Sequence, residues 1–130
     1  MIKEIRSEKD FGVDSNSSNS INKLVVSRGN PQAQIVIIGE APGAKEEELG
    51  IPFVGRSGKL LDKLLQNAGI DPSLDVYFCN VVKCRPPKNR RPTKTEIQEN
   101  LPWLYQQIKL VNPKIILLVG ATALQAILKN

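Results

Sequence analysis

The chain has 130 residues, a hydrophobic share of 41%, a charged share of 24% and a formal net charge of +5, the profile of one globular domain with a modest core and a leaning towards anionic partners. No apolar run approaches the ~20 residues of a membrane span, and the charged start Met-Ile-Lys-Glu-Ile-Arg is no secretory signal. With two cysteines and no histidine, a disulfide framework, a Ser-His-Asp or Cys-His mechanism and a closed zinc site are all excluded, and a reducing cytoplasmic setting is expected.

Residues 1–22 read as a flexible polar arm. Positions 14–20 are Asp-Ser-Asn-Ser-Ser-Asn-Ser, too polar to bury the apolar surface that would offset chain entropy. The folded domain is expected over 23–130. Residues 23–27, Lys-Leu-Val-Val-Ser, suggest a short edge strand, and Gly29-Asn30-Pro31 turns the chain. Ile35-Val36-Ile37-Ile38 is an apolar β-branched run ended by Gly39, the pattern of a buried parallel strand. A Gly/Pro-rich turn, Glu40-Ala41-Pro42-Gly43, and an acidic run, Glu46-Glu47-Glu48, follow. Ser57 is expected to cap a helix with apolar positions Leu60, Leu61, Leu64, Leu65 and Ala68, stopped near Gly69.

Val76-Tyr77-Phe78-Cys79 predicts a second buried strand that delivers Asn80 at its carboxyl end. The segment 83–94 then carries six cations, three prolines and no acid, so it is irregular. Thr93 and Glu96 have capping-box spacing ahead of the helical positions Ile97, Leu101, Leu104, Ile108 and Val111. Pro102 within that pattern predicts a kink or split near 98–101. Residues 114–119 predict a third buried strand, and 121–129 the start of another helix. This alternation implies an α/β fold, a three-layer α/β/α sandwich around a parallel sheet.

Ligands of open α/β sheets bind outside the carboxyl ends of the strands. Three features converge there: the turn at 40–43, Asn80 and the helix start after Gly120. A side-chain amide can read a base edge, since it offers a donor and an acceptor in one plane, or close its own turn. Phe53, between Gly50 and Gly55 in a loop, has the placement of a stacking residue. The basic segment with Lys83, Arg85, Lys88, Arg90 and Arg91 is either a solvated loop or a proline-stiffened phosphate clamp. The turn is neither a Walker A loop nor a dinucleotide fingerprint, because the glycine spacing fits neither.

Three stretches together carry a resemblance: Gly39-Glu40-Ala41-Pro42-Gly43, the run 50–58 Gly-Ile-Pro-Phe-Val-Gly-Arg-Ser-Gly, and the run 80–90 Asn-Val-Val-Lys-Cys-Arg-Pro-Pro-Lys-Asn-Arg. From about residue 24 onward the chain resembles the iron-sulfur uracil-DNA glycosylases, the fourth family of that superfamily. The resemblance implies excision of uracil from DNA after the nucleotide is flipped out of the stack, by a monomer without membrane attachment. It implies catalytic roles for Glu40, Ala41 and Glu47, with backbone amides at 40 and 41 holding a uracil carbonyl. It implies uracil contacts from Phe53, Asn80 and Asn89; the five cations named above, read as a clamp, are expected to contact the DNA.

Two departures accompany it. The family's four-iron cluster is held by four cysteines. Of those positions only Cys84 is retained, Asn100 stands at the fourth, and a Cys-x-x-Cys pair is missing before the first strand; no cluster and no other metal is expected. The family's later His motif and its last strand fall beyond Asn130, so the domain is expected to be C-terminally incomplete and its activity reduced or lost. The rival reading is a degenerate glycosylase-like module that binds DNA or a partner without cleaving.

Overall fold

In the computed structural model, which describes residues 23–129, four strands form one open sheet: β1 (Arg28–Gly29), β2 (Ile35–Gly39), β3 (Val76–Asn80) and β4 (Ile115–Leu118). The polar arm expected over 1–22 lies outside the described residues. The spatial order is β1-β3-β2-β4. β2, β3 and β4 run parallel, and only the two-residue β1 is antiparallel. Helices α1 (Ala44–Leu49), α2 (Arg56–Asn67), α3 (Lys94–Val111) and α4 (Ala121–Leu128) connect or follow them.

Strand side chains alternate between two faces, and the two cores follow that period. Val36, Ile38, Tyr77 and Cys79 pack with Leu101, Leu104 and Val111 of α3 and Ala123 and Ala126 of α4. On the other face, Ile37, Val76 and Phe78 pack with Leu65 and Leu61 of α2 and with Phe53. The sandwich expected from the strand–helix alternation is thus present, with the carboxyl ends of β2 and β3 opening side by side.

Several expectations differ in detail. The edge strand forms at Arg28–Gly29 rather than over 23–27, although Val25 is buried and its N–H donates to the Lys83 carbonyl at 2.8 Å. A Cβ on Gly29 would stand 2.1 Å from the Val76 carbonyl oxygen, so pairing this close to β3 requires glycine. The acidic run falls in α1, with Glu46 and Glu47 in the first turn, where the helix dipole favours them. The residue before α2 is Gly55, with Ser57 inside the first turn. The inward stripe of α2 is Gly58, Leu61 and Leu65, which leaves Leu60 58% exposed. The rotation is set by Gly58, where a Cβ would fall 2.0 Å from the Phe53 carbonyl oxygen.

α3 runs unbroken through Pro102. Pro102 and Gln98 both face solvent, so water can serve the carbonyl that the proline leaves without a donor. β4 was expected to be buried, yet Ile115 is 57% exposed. Among the described residues β4 pairs with β2 alone, and of its four side chains Leu118 packs against the core beside α3 and α4 while Ile115, Ile116 and Leu117 are exposed.

The Thr93–Glu96 capping box is present. The Glu96 N–H donates to Thr93 Oγ1 at 3.1 Å, and the Thr93 N–H to Glu96 Oε1 at 2.8 Å. Arg90 adds two hydrogen bonds to the same carboxylate and, with the cap, holds Glu96 down to about 2. A depressed acid contributes stability above its unfolded value, ~4.5, and loses it as pH falls through its folded value. The pair is half exposed, so solvent screens much of the effect. The start of α3 should therefore fray between about pH 4.5 and pH 2. Amide exchange across residues 93–97 checks this; unchanged protection through that window would contradict it.

Candidate active site

The cleft is built where β2 and β3 end. Gly39 pairs with Asn80, and the pairing continues past the strands. The Val81 N–H donates to the Gly39 carbonyl at 2.9 Å, and the Val82 N–H to the Glu40 carbonyl at 3.0 Å. The turn at 40–43 is thereby fixed against the segment that carries Asn80. A Cβ on Gly39 would lie 2.6 Å from both Asn80 Oδ1 and Phe53 Cζ. Glycine is what lets the amide and the ring stand against the strand tip together. The resulting cleft, of about 200 Å³, is lined by Gly39, Glu40, Ala41, Glu46, Phe53 and Asn80, with Ser57, Gly58 and Val119 completing it. That is below the roughly 300–1,000 Å³ of drug-sized sites and suits a single small ring.

Phe53 has a φ of 59°, a left-handed conformation unusual for a bulky residue and stable only when its surroundings over-determine it. Two side chains do this. Arg28 donates from Nε to the Pro52 carbonyl at 2.8 Å and from Nη2 to the Phe53 carbonyl at 3.0 Å. It is held in turn by Asp62 at 2.8 Å and by the Phe78 ring, 3.8 Å below its guanidinium. From the other side Glu46 accepts from the Gly43 N–H at 3.0 Å through Oε1, and from Val54 and Gly55 at 3.0 and 2.7 Å through Oε2. One carboxylate therefore ties the Gly/Pro turn to the Phe53 loop. The Phe53 ring itself sits 5.5 Å from Phe78, tilted by 50°.

Neither Arg28 nor Glu46 stood out in the sequence. Arg28 precedes an ordinary turn and acts across 24 positions. Glu46 stands at three residues from Gly43, the spacing of an acid that reaches back to cap a helix start, and that spacing was the available signal.

The structure brings Glu40, Ala41, Phe53 and Asn80 around one cleft. It places Glu47 and Asn89 outside that lining. Arg85 joins those two, donating from Nε to Asn89 Oδ1 at 2.7 Å and pairing with Glu47 at 3.6 Å. Glu40 reaches outward, where its carboxylate accepts from the Thr122 hydroxyl and lies 4.0 Å from Arg91 Nε.

Lys83 departs from the expected DNA contact: it is 1% exposed. Its ammonium donates to the Asn80 carbonyl and to Gln107 Oε1. Gln107 in turn donates to the Val26 carbonyl and the Tyr77 hydroxyl. Burial pushes the Lys83 amine down to about 8 and pushes the neighbouring Cys79 thiol up. Lys83 thus braces the strand tip under Asn80 and offers no charge to a phosphate. Lys88, with a φ of 55°, is exposed on the short 3-10 turn Pro87–Asn89.

The residues present do not fit a four-cysteine cluster. Cys79 points into the core and Cys84 is half-buried. Asn100, at the position the resemblance gives to a fourth ligand, accepts from the Lys83 N–H at 3.1 Å and donates to the Glu96 carbonyl at 2.8 Å. An amide cross-link joins the basic segment to α3 there.

The family model described as the uracil DNA glycosylase superfamily matches residues 26–130. A type-4 uracil-DNA glycosylase of Thermotoga maritima is 52% identical over 101 residues, covering 78% of this chain and 52% of that protein. One of Pyrobaculum aerophilum is 43% identical over 105 residues, covering 81% of this chain and 53% of that protein. A DNA polymerase of Bacillus phage SP01 is 36% identical over 107 residues, 82% of this chain and 12% of that protein. The chain spans about half the length of the curated glycosylases it matches.

Proposed function

Because the chain belongs to the uracil-DNA glycosylase superfamily, we propose that it serves the removal of uracil from DNA, by hydrolysis of the bond between the base and deoxyribose. The target nucleotide leaves the stack and its base enters the cleft at the ends of β2 and β3. Phe53 stacks on the ring, and the Asn80 amide reads the edge that distinguishes uracil from cytosine. As the bond breaks, the sugar becomes oxocarbenium-like and the base gains negative charge. Amides of the turn at Glu40 and Ala41 stabilise that charge by donating to a uracil carbonyl. Water then adds to the sugar carbon, and the base departs with a proton. The rim chain Glu47–Arg85–Asn89 orients the strand and the attacking water. The observation that carries the reading is Phe53, held in a strained conformation beside Asn80 around a cleft of single-ring size.

The chemistry is assigned to a monomer and to the reducing cytoplasm, where thiols such as those of Cys79 and Cys84 are kept from disulfides. It is assigned without an iron-sulfur cluster, given one matching cysteine and an amide cross-link at Asn100. Purified protein should contain no stoichiometric iron and no broad visible charge-transfer absorption; finding both would overturn the assignment.

The test is base release from single-stranded oligonucleotides that differ only in one uracil or cytosine. Uracil should appear above background, slowly, and cytosine should not. Equal release of both bases, or release of neither with no preference in binding, would overturn the reading.

A further inference from the structure

Of the five cations expected to meet DNA, Lys88 is exposed on the 3-10 turn and Arg91 lies beside Glu40 and Thr122. Lys83 is buried, Arg85 is engaged with Asn89 and Glu47, and Arg90 is engaged with Glu96. Arg91 also lines, with Lys94 and Lys129, a groove of about 660 Å³ between the start of α3 and α4. None of its lining residues is an acid, Gln98 and Gln125 add neutral polar groups, and Pro92, Ile97 and Ala126 add apolar surface. Cations with neutral donors around an apolar floor match a phosphodiester joined to deoxyribose better than a free anion. Lys94 also opens α3, where the helix dipole disfavours a cation.

The groove adjoins the cleft through one residue. Thr122 lines the groove, and its hydroxyl donates to Glu40, which lines the cleft. Arg91 lies 3.3 Å from the same hydroxyl. We propose that this groove carries the sugar–phosphate backbone flanking the nucleotide whose base occupies the cleft. The proposal rests on the function assigned above; it narrows the phosphate contact within 83–94 to Arg91 and Lys94 and adds Lys129.

The experiment measures binding of single-stranded oligonucleotides, with and without one uracil, across a salt series. Each lost phosphate contact should lower the slope of log affinity against log salt by about 0.7 for a single strand. Lys94→Ala with Lys129→Ala should flatten the slope by roughly 1.4 and weaken binding on the order of tenfold near 0.1 M salt. Lys109→Ala with Lys114→Ala, of equal charge but away from the groove, should leave the slope unchanged. An unchanged slope in the groove variant, or an equal change in the control, would overturn the proposal. So would a polyglutamate peptide of matched charge competing as well as the oligonucleotide. Loss of uracil preference with the slope effect intact would fault the cleft and leave the groove standing. The reverse would fault the groove alone.

Discussion

Asn80→Asp should collapse the preference for uracil over cytosine to near unity. The asparagine amide presents a donor and an acceptor, matching the uracil carbonyl and ring N–H. A carboxylate can only accept, so it repels the uracil carbonyl and welcomes the cytosine amino group. A bidentate amide contact is worth about 1–3 kcal/mol of discrimination, which corresponds to roughly 5- to 150-fold. Asn80 is 4% exposed, so little water is present to blunt the change. Binding of matched oligonucleotides carrying one uracil or one cytosine checks it. An undiminished preference would mean that Asn80 does not read the base.

Glu46→Ala should release the Phe53 loop. Three N–H groups, of Gly43, Val54 and Gly55, lose a charged acceptor at once. Hydrogen bonds to charged groups contribute about 1.5–3 kcal/mol each. The site is partly open to water, which will replace some of them, so a net loss of about 2–3 kcal/mol is expected. Phe53 loses one of its two clamps, and its strained backbone should relax towards an ordinary conformation, weakening binding of uracil oligonucleotides at least tenfold. Glu46→Gln should fall between, because one amide oxygen can still serve Val54 and Gly55 while its NH2 opposes the Gly43 N–H. Denaturant unfolding and oligonucleotide binding together check this. A variant with wild-type stability and affinity would show that Arg28 alone holds the loop.

The central strands were legible because Ile35–Ile38 is a short β-branched run closed by Gly39 and Val76–Cys79 a short apolar run rich in aromatics, both bounded by turn residues. That placed the turn at 40–43 and Asn80 at one sheet edge, and a lone aromatic between glycines marked Phe53. What the sequence hid were contacts made across the fold. The acidic run looks solvated by composition, but Glu46 turns inward because its own helix start and the Phe53 loop both present free N–H groups. Arg28 is invisible until the chain brings it over Phe78. Lys83 reads as part of a basic run, and only the geometry reveals that Gln107 and the Asn80 carbonyl hold its amine indoors. The exposure of β4 was illegible too, since an apolar run states what a strand is made of and not whether anything covers it. Asn100 could be seen as a departure from a ligand position, but its cross-link between the Lys83 N–H and α3 could not.

The most direct measurement follows backbone amide resonances of the chain while free uracil or free cytosine is added. Uracil should shift Gly39, Glu40, Ala41, Phe53 and Asn80 in a saturable way, cytosine should not, and Phe53→Ala should abolish the response. Stacking worth roughly 1–3 kcal/mol per base and a half-enclosed cleft make the affinity weak, so millimolar additions are appropriate. Equal responses to the two bases, or saturable shifts confined to residues outside the cleft, would contradict the account.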